Sequence, residues 1–368
     1  MARKRRGRGE GSIFKRADGR WSAEVSAGLR EDGRRRRRTL YGPTKRDVQR
    51  QLHELQSQGF IDATRLTVGQ FLDHWLETAV RPSLAPTTHE RYKIVVDRYV
   101  KPHIGSMRLG KLAPVHVQAL YVTQAKAGAS LRNQELSGIV LGKALKTAVR
   151  LHLIATNPAR DVDKPRPQKR EMHVWDKGQV DVFLEHARSD RLYALYVLAV
   201  TSGMRSGEMF ALEWSEVDFE NAAVTVKRTL ENIGGRLRPK EPKTRQSRRR
   251  IDLPQFAVNA LHEHRKRMLA EGHAACPVFC DRDGGYLQRQ NVKRRSFDRL
   301  IAAAGLPPIR FHDLRHTAAT LLLLAGENPK VVSERLGHAN VHITLDTYSH
   351  VLPTMQKGAA RKLDKLFG

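Results

Sequence analysis

The sequence predicts a multidomain α+β chain in three parts: a small three-stranded sheet plus one helix over residues 1–60, a helical domain over 67–160, and a mainly α domain with a small β-sheet over 172–368. A linker at 161–171 joins the last two. Three observations carry this reading. Period-two alternation between hairpin signals marks the first part, and apolar residues at helical spacing punctuated by prolines fill the second. The third mixes buried helical runs with a basic pair of strands. At 368 residues the chain has material for two or three domains with cores of their own.

In the first part Trp21, Ala23, Val25 and Ala27 alternate with Ser22, Glu24 and Ser26, the pattern of a half-buried strand. Asp18-Gly19 and Asp32-Gly33 bracket it as hairpin turns. A third strand runs through Arg35–Tyr41 and takes in most of the run Arg34, Arg35, Arg36, Arg37 and Arg38. Thr44, with Asp47 three residues on, caps a helix whose Val48, Leu52 and Leu55 line one face, and Gly59 ends it.

Residues 61–66 read as a short linker. Thr67 then precedes Val68, Phe71, Leu72 and Trp75 at helical spacing, and Pro86-Thr87-Thr88 opens a helix through Tyr92, Val95, Val96 and Tyr99 that Pro102 and Gly105 are expected to break. Pro114 starts another through Val117 and Leu120. A longer helix over 131–151 turns Leu136, Ile139, Val140, Ala144 and Val149 inward, and Asn157-Pro158 stops it. The titratable groups here are scattered, so the segment reads as core. Asp161–Lys169, with Pro165 and Pro167 among basic residues, reads as extended.

In the third part Leu192–Val200 is a buried helix that ends at Thr201-Ser202-Gly203-Met204-Arg205-Ser206-Gly207-Glu208. Val224–Thr229 alternates as a strand and Arg249–Pro254 returns, which puts Lys243-Thr244 at a hairpin tip. His312, Arg315 and His316 are spaced i, i+3, i+4 and share a helical face, with Leu314, Ala318, Leu321 and Ala325 opposite. Met355, Ala359, Leu363, Leu366 and Phe367 are the apolar positions of a short last helix.

Charge narrows the class of partner. Lys and Arg outnumber Asp and Glu by 28, a surplus that repels itself unless a polyanion is near. The first sixty residues hold 17 basic and 7 acidic side chains, and Lys227–Arg250 holds ten and two. Nucleic acid is the leading partner, with salt-dependent binding. No apolar run approaches the ~20 residues that span a bilayer, and the basic start at Arg3–Arg8 is not followed by the apolar stretch of a signal peptide. No membrane partner is expected, and two cysteines fit a reducing cytoplasm. Arg34–Arg38 has a bland reading as a solvated tail. Its place on a strand between hairpins favours a sheet laid on DNA.

The residues with chemical potential are Arg205, Lys243, His312, Arg315, His338 and Tyr348. A zinc protease helix needs His-Glu-x-x-His, and here an arginine sits between the histidines. His262, His264, His273, Cys276 and Cys280 match no standard zinc spacing. Neither a metal nor another cofactor is expected. A tyrosine of pKa near ~10 is a poor nucleophile at neutral pH. Two guanidiniums bracketing a phosphate stabilise charge on its non-bridging oxygens and favour phenolate beside them. His312 can take the tyrosine proton, His338 can donate to a phosphate oxygen, and Lys243 can either contact phosphate or protonate a departing 5′ oxygen. A covalent tyrosyl phosphate keeps the bond energy, so strands can be rejoined without ATP or metal.

This pattern resembles the tyrosine recombinases, specifically the phage-type and conjugative-element integrases. The matching pieces are Thr201–Glu208, Lys243-Thr244, His312-Asp313-Leu314-Arg315-His316-Thr317, Leu336-Gly337-His338 and Asp346-Thr347-Tyr348, in the family's order. The resemblance implies Tyr348 as nucleophile, Arg205 and Arg315 as phosphate clamp, Lys243 as general acid, His312 as general base and His338 as a further phosphate donor. Lys240, on the same basic segment, competes with Lys243. It also implies an arm-type DNA-binding domain at 1–60, a core-type one at 67–160 and the catalytic domain at 172–368. The implied activity is integration of a mobile element through a covalent 3′-phosphotyrosine, and its excision with an accessory factor. Implied partners are core-type and arm-type sites on double-stranded DNA, a homotetramer on synapsed DNA, an excisionase and a host DNA-bending protein. The family often docks its last helix on a neighbouring protomer, and packing within the chain is the alternative. Rival readings are a type IB-like topoisomerase and a DNA-binding regulator without catalysis.

Overall fold

The computed structural model describes residues 13–29, 35–57, 66–168, 172–241, 248–275, 277–348, 360–361 and 363–367, with backbone alone over 25–29, 35–38 and 52–57. The chain divides into two compact units, Met1–Lys169 and Arg170–Gly368. Among the described residues no helix is long and apolar enough to cross a membrane.

The first unit opens with an antiparallel sheet in the order β1 (Ile13–Lys15), β2 (Trp21–Leu29), β3 (Arg35–Gly42). Gly19, at φ +81°, makes the first turn where Asp18-Gly19 predicts it. The register puts Val25 opposite Arg38 and Ser26 opposite Arg37, so Arg35, Arg36, Arg37 and Arg38 lie on a strand. Thr44 caps α1 (Lys45–Ser57): its hydroxyl accepts from Asp47 N–H at 3.2 Å and donates to the Asp47 carboxylate at 2.6 Å. Val48 packs with Ala23 and Leu40 in a small core. Asp32-Gly33, Gly59 and residues 61–65 lie outside the described residues, as do Arg34 and the side chains of Arg35, Arg36, Arg37 and Arg38.

The helices α2 (Val68–Trp75), α3 (Pro86–Val95), α4 (Lys101–Ile104), α5 (Pro114–Lys126) and α6 (Leu131–Arg150) enclose a core that includes Phe71, Leu72, Val96, Leu120, Leu141 and Leu145. Thr67 and Gln70 form a reciprocal capping box, and prolines occupy the first turns of α3 and α5, where a missing N–H costs nothing. Pro102 does not break the helix as expected. A wide π turn at Val96–Val100 carries α3 into α4, with Lys101 N–H bonded to Val96 O, and this change of register absorbs the proline. Along α6 the buried stripe is Val140, Leu141, Ala144, Leu145 and Ala148, with Leu136, Ile139 and Val149 on its half-buried flanks.

The second unit consists of α7 (Lys177–Ala187), α8 (Tyr193–Ser202), α9 (Ser206–Phe210), β4 (Val217–Asp218), β5 (Ala223–Val226), β6 (Thr229–Ile233), β7 (Arg236–Lys240), β8 (Arg249–Asp252), α10 (Gln255–Ala270), α11 (Arg289–Val292), α12 (Asp298–Ala303), α13 (Asp313–Leu324), α14 (Pro329–Leu336) and α15 (Val341–Tyr348). Its core centres on α8, which is buried over nearly its whole surface, and on an aromatic cluster of Trp175, Phe183, Tyr196, Phe297 and Phe311. The β-structure is two small sheets where the sequence suggests one hairpin. Strands β4, β5 and β8 form one, and β6 and β7 pair separately around Gly234-Gly235. The tip therefore falls at Gly234-Gly235, and Lys243-Thr244 belongs to the connection from β7 to β8, outside the described residues. Of the last helix, 360–361 and 363–367 are helical, with Leu363, Leu366 and Phe367 exposed.

Candidate active site

The site is assembled at the carboxyl end of α14. A helix ends with carbonyls that have no partner inside it and with a partial negative charge. Here three consecutive carbonyls meet three guanidiniums from distant segments. Arg249 Nε donates to Arg335 O at 2.7 Å, Arg315 Nη1 to Leu336 O at 2.7 Å, and Arg205 Nη2 to Gly337 O at 3.0 Å. Gly337, at φ +67°, turns the chain there in a left-handed conformation suited to glycine, and a Cβ on it would stand 2.9 Å from Arg249 Nη1. Arg335 Nη2 ties α14 to Thr201 O and Asp252 O at 2.8 and 2.9 Å.

Arg205 stands at the amino end of α9, just after the turn that closes α8. Gly203 makes that turn at φ +64°, with Leu336 packed so close that a Cβ would lie 2.6 Å from its methyl. Gly207 lets α9 lie directly on β6, where a Cβ would meet Thr229 Oγ1 at 2.6 Å. Glu208, three residues on, braces the arginine. It accepts from Arg205 N and Nη1, both at 2.9 Å. It also accepts from Arg249 Nη2 at 2.9 Å and Nη1 at 3.3 Å. Burial opposes the Glu208 charge, and the hydrogen bonds and charge of Arg249, with Arg205, outweigh it and lower its pKa. Arg249 is the functional neighbour that sequence reasoning missed. Within a row of three arginines, only the inward register at Val226 singles it out.

Arg315, on the first turn of α13, is 4% exposed and bonds Gly203 O as well as Leu336 O at 2.7 Å, joining the ends of α8 and α14. Burial, then the charge of Arg205, lowers its pKa to about 9, which leaves it cationic at neutral pH. Both of those bonds use Nη1, and Nη2 has no protein partner among the described residues. His338 Nδ1 lies 2.8 Å from Thr344 Oγ1, which fixes the ring and leaves Nε2 for a ligand. Burial and the charges of Arg315 and Arg205 hold its pKa down at about 4.

Tyr348 ends α15 and is fully buried, with Leu336, Val332, Ala319 and Leu323 around it. Its hydroxyl lies 2.8 Å from Nδ1 of His316, not of His312. The His312 ring packs edge-on against His316, with centroids 5.3 Å apart. Burial pushes the Tyr348 pKa up to about 12, with Arg315 opposing. His312 is lowered to about 4, by burial first and then by His316 and Arg315. The structure thus brings together Arg205, Arg315, His338, His312 and Tyr348. Lys243 lies outside the described residues, and Lys240 is engaged with Glu231 Oε2 at 3.2 Å.

The other histidines have ordinary work. His264 Nε2 bonds Val278 O at 2.7 Å inside the core, His262 packs on Phe219, and His273 Nε2 reaches Arg282 O. Among the described residues no three His, Cys, Asp or Glu are grouped to hold a metal.

The chain is similar to known proteins along most of its length. The phage integrase family model matches residues 174–355, and the model for a phage integrase N-terminal SAM-like domain matches 67–123. A tyrosine recombinase XerC-like protein of Caldanaerobacter subterraneus is 28% identical over 93% of this chain and 95% of its own length. The ICEBs1 integrase of Bacillus subtilis is 26% identical over 76% of this chain and 78% of its own. A Tn1549 transposon integrase, solved with a circular intermediate DNA, shares the fold at TM-score 0.68 and 22% identity, covering 81% of this chain and 99% of that one. Lambda integrase, solved as a dimer on a COC′ core site, shares it at TM-score 0.60 and 17% identity over 94% and 96%. With both family models matched in order over well over half its length, the chain belongs to the phage integrase family of tyrosine recombinases.

Proposed function

We propose that the chain is a site-specific DNA recombinase that cuts and rejoins strands through a covalent bond between Tyr348 and a 3′ phosphate. The observation that carries this reading is the convergence of Arg205, Arg315 and His338 on one helix end, with Tyr348 beside Arg315. A phosphodiester held against the two arginines has its developing negative charge met by donors already in place. His338 Nε2 adds a further donor. The Tyr348 oxygen attacks phosphorus, the bond to O5′ breaks, and O5′ takes a proton from a general acid, the role assigned to Lys243. The tyrosine proton leaves to a histidine beside the hydroxyl, the role that the family resemblance gives to His312. Attack by another 5′ hydroxyl reverses these steps and joins new partners, with no net hydrolysis.

The domain assignment follows. Residues 172–368 form the catalytic domain and 67–160 a core-type DNA-binding domain, supported by the match to an integrase N-terminal domain at 67–123. Residues 1–60 form an arm-type domain, supported by the three-stranded sheet with arginines along β3. The partners we assign are core-type and arm-type attachment sites, a homotetramer on synapsed DNA, an excisionase and a host DNA-bending protein, in the cytoplasm of a bacterial cell. Nicked suicide DNA carrying the element's own core site tests the chemistry. The wild-type chain should become covalently attached to the strand, and Tyr348→Phe should not. An adduct with Tyr348→Phe would refute the assignment. Removing residues 1–60 should abolish integration while sparing cleavage at the core site.

A further inference from the structure

We propose that His316, rather than His312, is the group that takes the proton from Tyr348 as the phenol oxygen attacks. This rests on the reading of Tyr348 as nucleophile. His316 Nδ1 lies 2.8 Å from the Tyr348 hydroxyl, within the range a general base needs, and among the described residues it is the hydroxyl's only hydrogen-bond partner. His312 makes no bond to the tyrosine and meets the side of the His316 ring. His316 and Tyr348 come from different elements, α13 and α15, so their contact is tertiary and does not follow from helical spacing alone.

The hydrogen-bond roles follow from protonation. Tyr348 is buried and keeps its proton in the resting protein. A phenol with one partner donates to it, which requires a neutral His316 ring with its hydrogen on Nε2. Burial favours that neutral ring, Arg315 and Arg310 add to the effect, and Asp313 opposes it. The other groups facing the ring are His312, across the edge contact, and His338 from the end of α14.

The step balances. The O–H bond of Tyr348 breaks as its proton passes to Nδ1, giving an imidazolium and a phenolate oxygen. That oxygen forms the bond to phosphorus while the bond to O5′ breaks, and O5′ takes its proton from the general acid. On rejoining, the imidazolium returns its proton to the departing phenolate. His312 is left as a positioning residue that fixes the His316 ring by edge contact.

Single-turnover adduct formation on nicked suicide DNA by the full chain provides the test, with Tyr348 or 3,5-difluorotyrosine at position 348. The fluorinated phenol is more acidic and needs a base less. His316→Gln should slow adduct formation about 100-fold at neutral pH, with DNA binding retained, and the loss should shrink as pH rises. The fluorinated tyrosine should recover most of that loss and little of any loss caused by His312→Gln. Full speed in His316→Gln, a loss the fluorinated tyrosine leaves untouched, or selective rescue of His312→Gln would each overturn the proposal. If His316→Gln does not fold, the isosteric and far less basic 2-fluorohistidine at 316 decides: a slower adduct supports the proposal, an unchanged rate overturns it. Tyr348→Phe separates the two ideas. An adduct with that variant sinks the nucleophile reading, whereas no adduct there beside a fast His316→Gln sinks only the role of His316.

Discussion

Removing Arg249 should cost the catalytic unit much more than an ordinary ion pair would. The Arg249 side chain is 7% exposed and Glu208 3%, so the small values of exposed pairs do not apply. Breaking a buried pair and leaving one charge behind typically costs about 3–5 kcal/mol. Glu208 keeps its two bonds from Arg205, which places Arg249→Met at the lower end of that range. The carbonyl of Arg335 also loses its partner, adding about 1 kcal/mol. The sum is roughly 4 kcal/mol. Urea unfolding measures it through the fluorescence of Trp175, which is buried in the same unit's core. The midpoint should fall with the slope unchanged. Arg249→Met with Glu208→Leu should be milder than Arg249→Met alone, because no buried charge is stranded. A loss under about 1 kcal/mol for Arg249→Met, or a worse double variant, would refute the reasoning.

Three further outcomes are expected. His264 is buried and its pKa is lowered to about 4, chiefly by burial, so its contribution to stability is whole above pH ~6.5 and is lost as pH falls from there to about 4. His264→Gln should reduce the acid slope of unfolding free energy by up to ~1.4 kcal/mol per pH unit in that window, and an unchanged slope would count against this. Gly337→Ala should destabilise by roughly 2 kcal/mol, from ~1–2 for the left-handed backbone and from crowding of Arg249. Because that guanidinium can shift, adduct formation should fall too; a neutral effect in chemical denaturation and in cleavage would contradict the geometry. Ser130 caps α6 by accepting from Asn133 N–H at 3.3 Å, and Ser130→Ala should cost about 1 kcal/mol in the first unit, read by its urea transition.

Local signals made much of this legible in the sequence. Thr44, Thr67, Pro86 and Pro114 sit where helices begin, because caps and first-turn prolines depend on a few neighbouring residues. Pro102 misled, since a π turn several residues earlier absorbs it and no single residue announces such a turn. The second hairpin was masked by Lys227–Arg250, where charge hides the alternation of β6 and β7. In the site, motif residues could be named one by one, and His316 was visible as a member of the helical face. Its contact with Tyr348 and the contacts of Arg249 with Glu208 and Arg335 are made across 32, 41 and 86 residues. Periodicity carries no information at such separations.

The three carbonyls that end α14 have a further consequence. Arg205, Arg249 and Arg315 crowd one place, and without DNA their charges would push apart. The helix end stands in for an anion during that time, carrying roughly half a negative charge. The cations are therefore gathered at folding, not at the moment a phosphate arrives, and they have little rearranging left to do. Damage to the last turn of α14 should then show itself less as weaker grip on DNA than as DNA that is held and not cut.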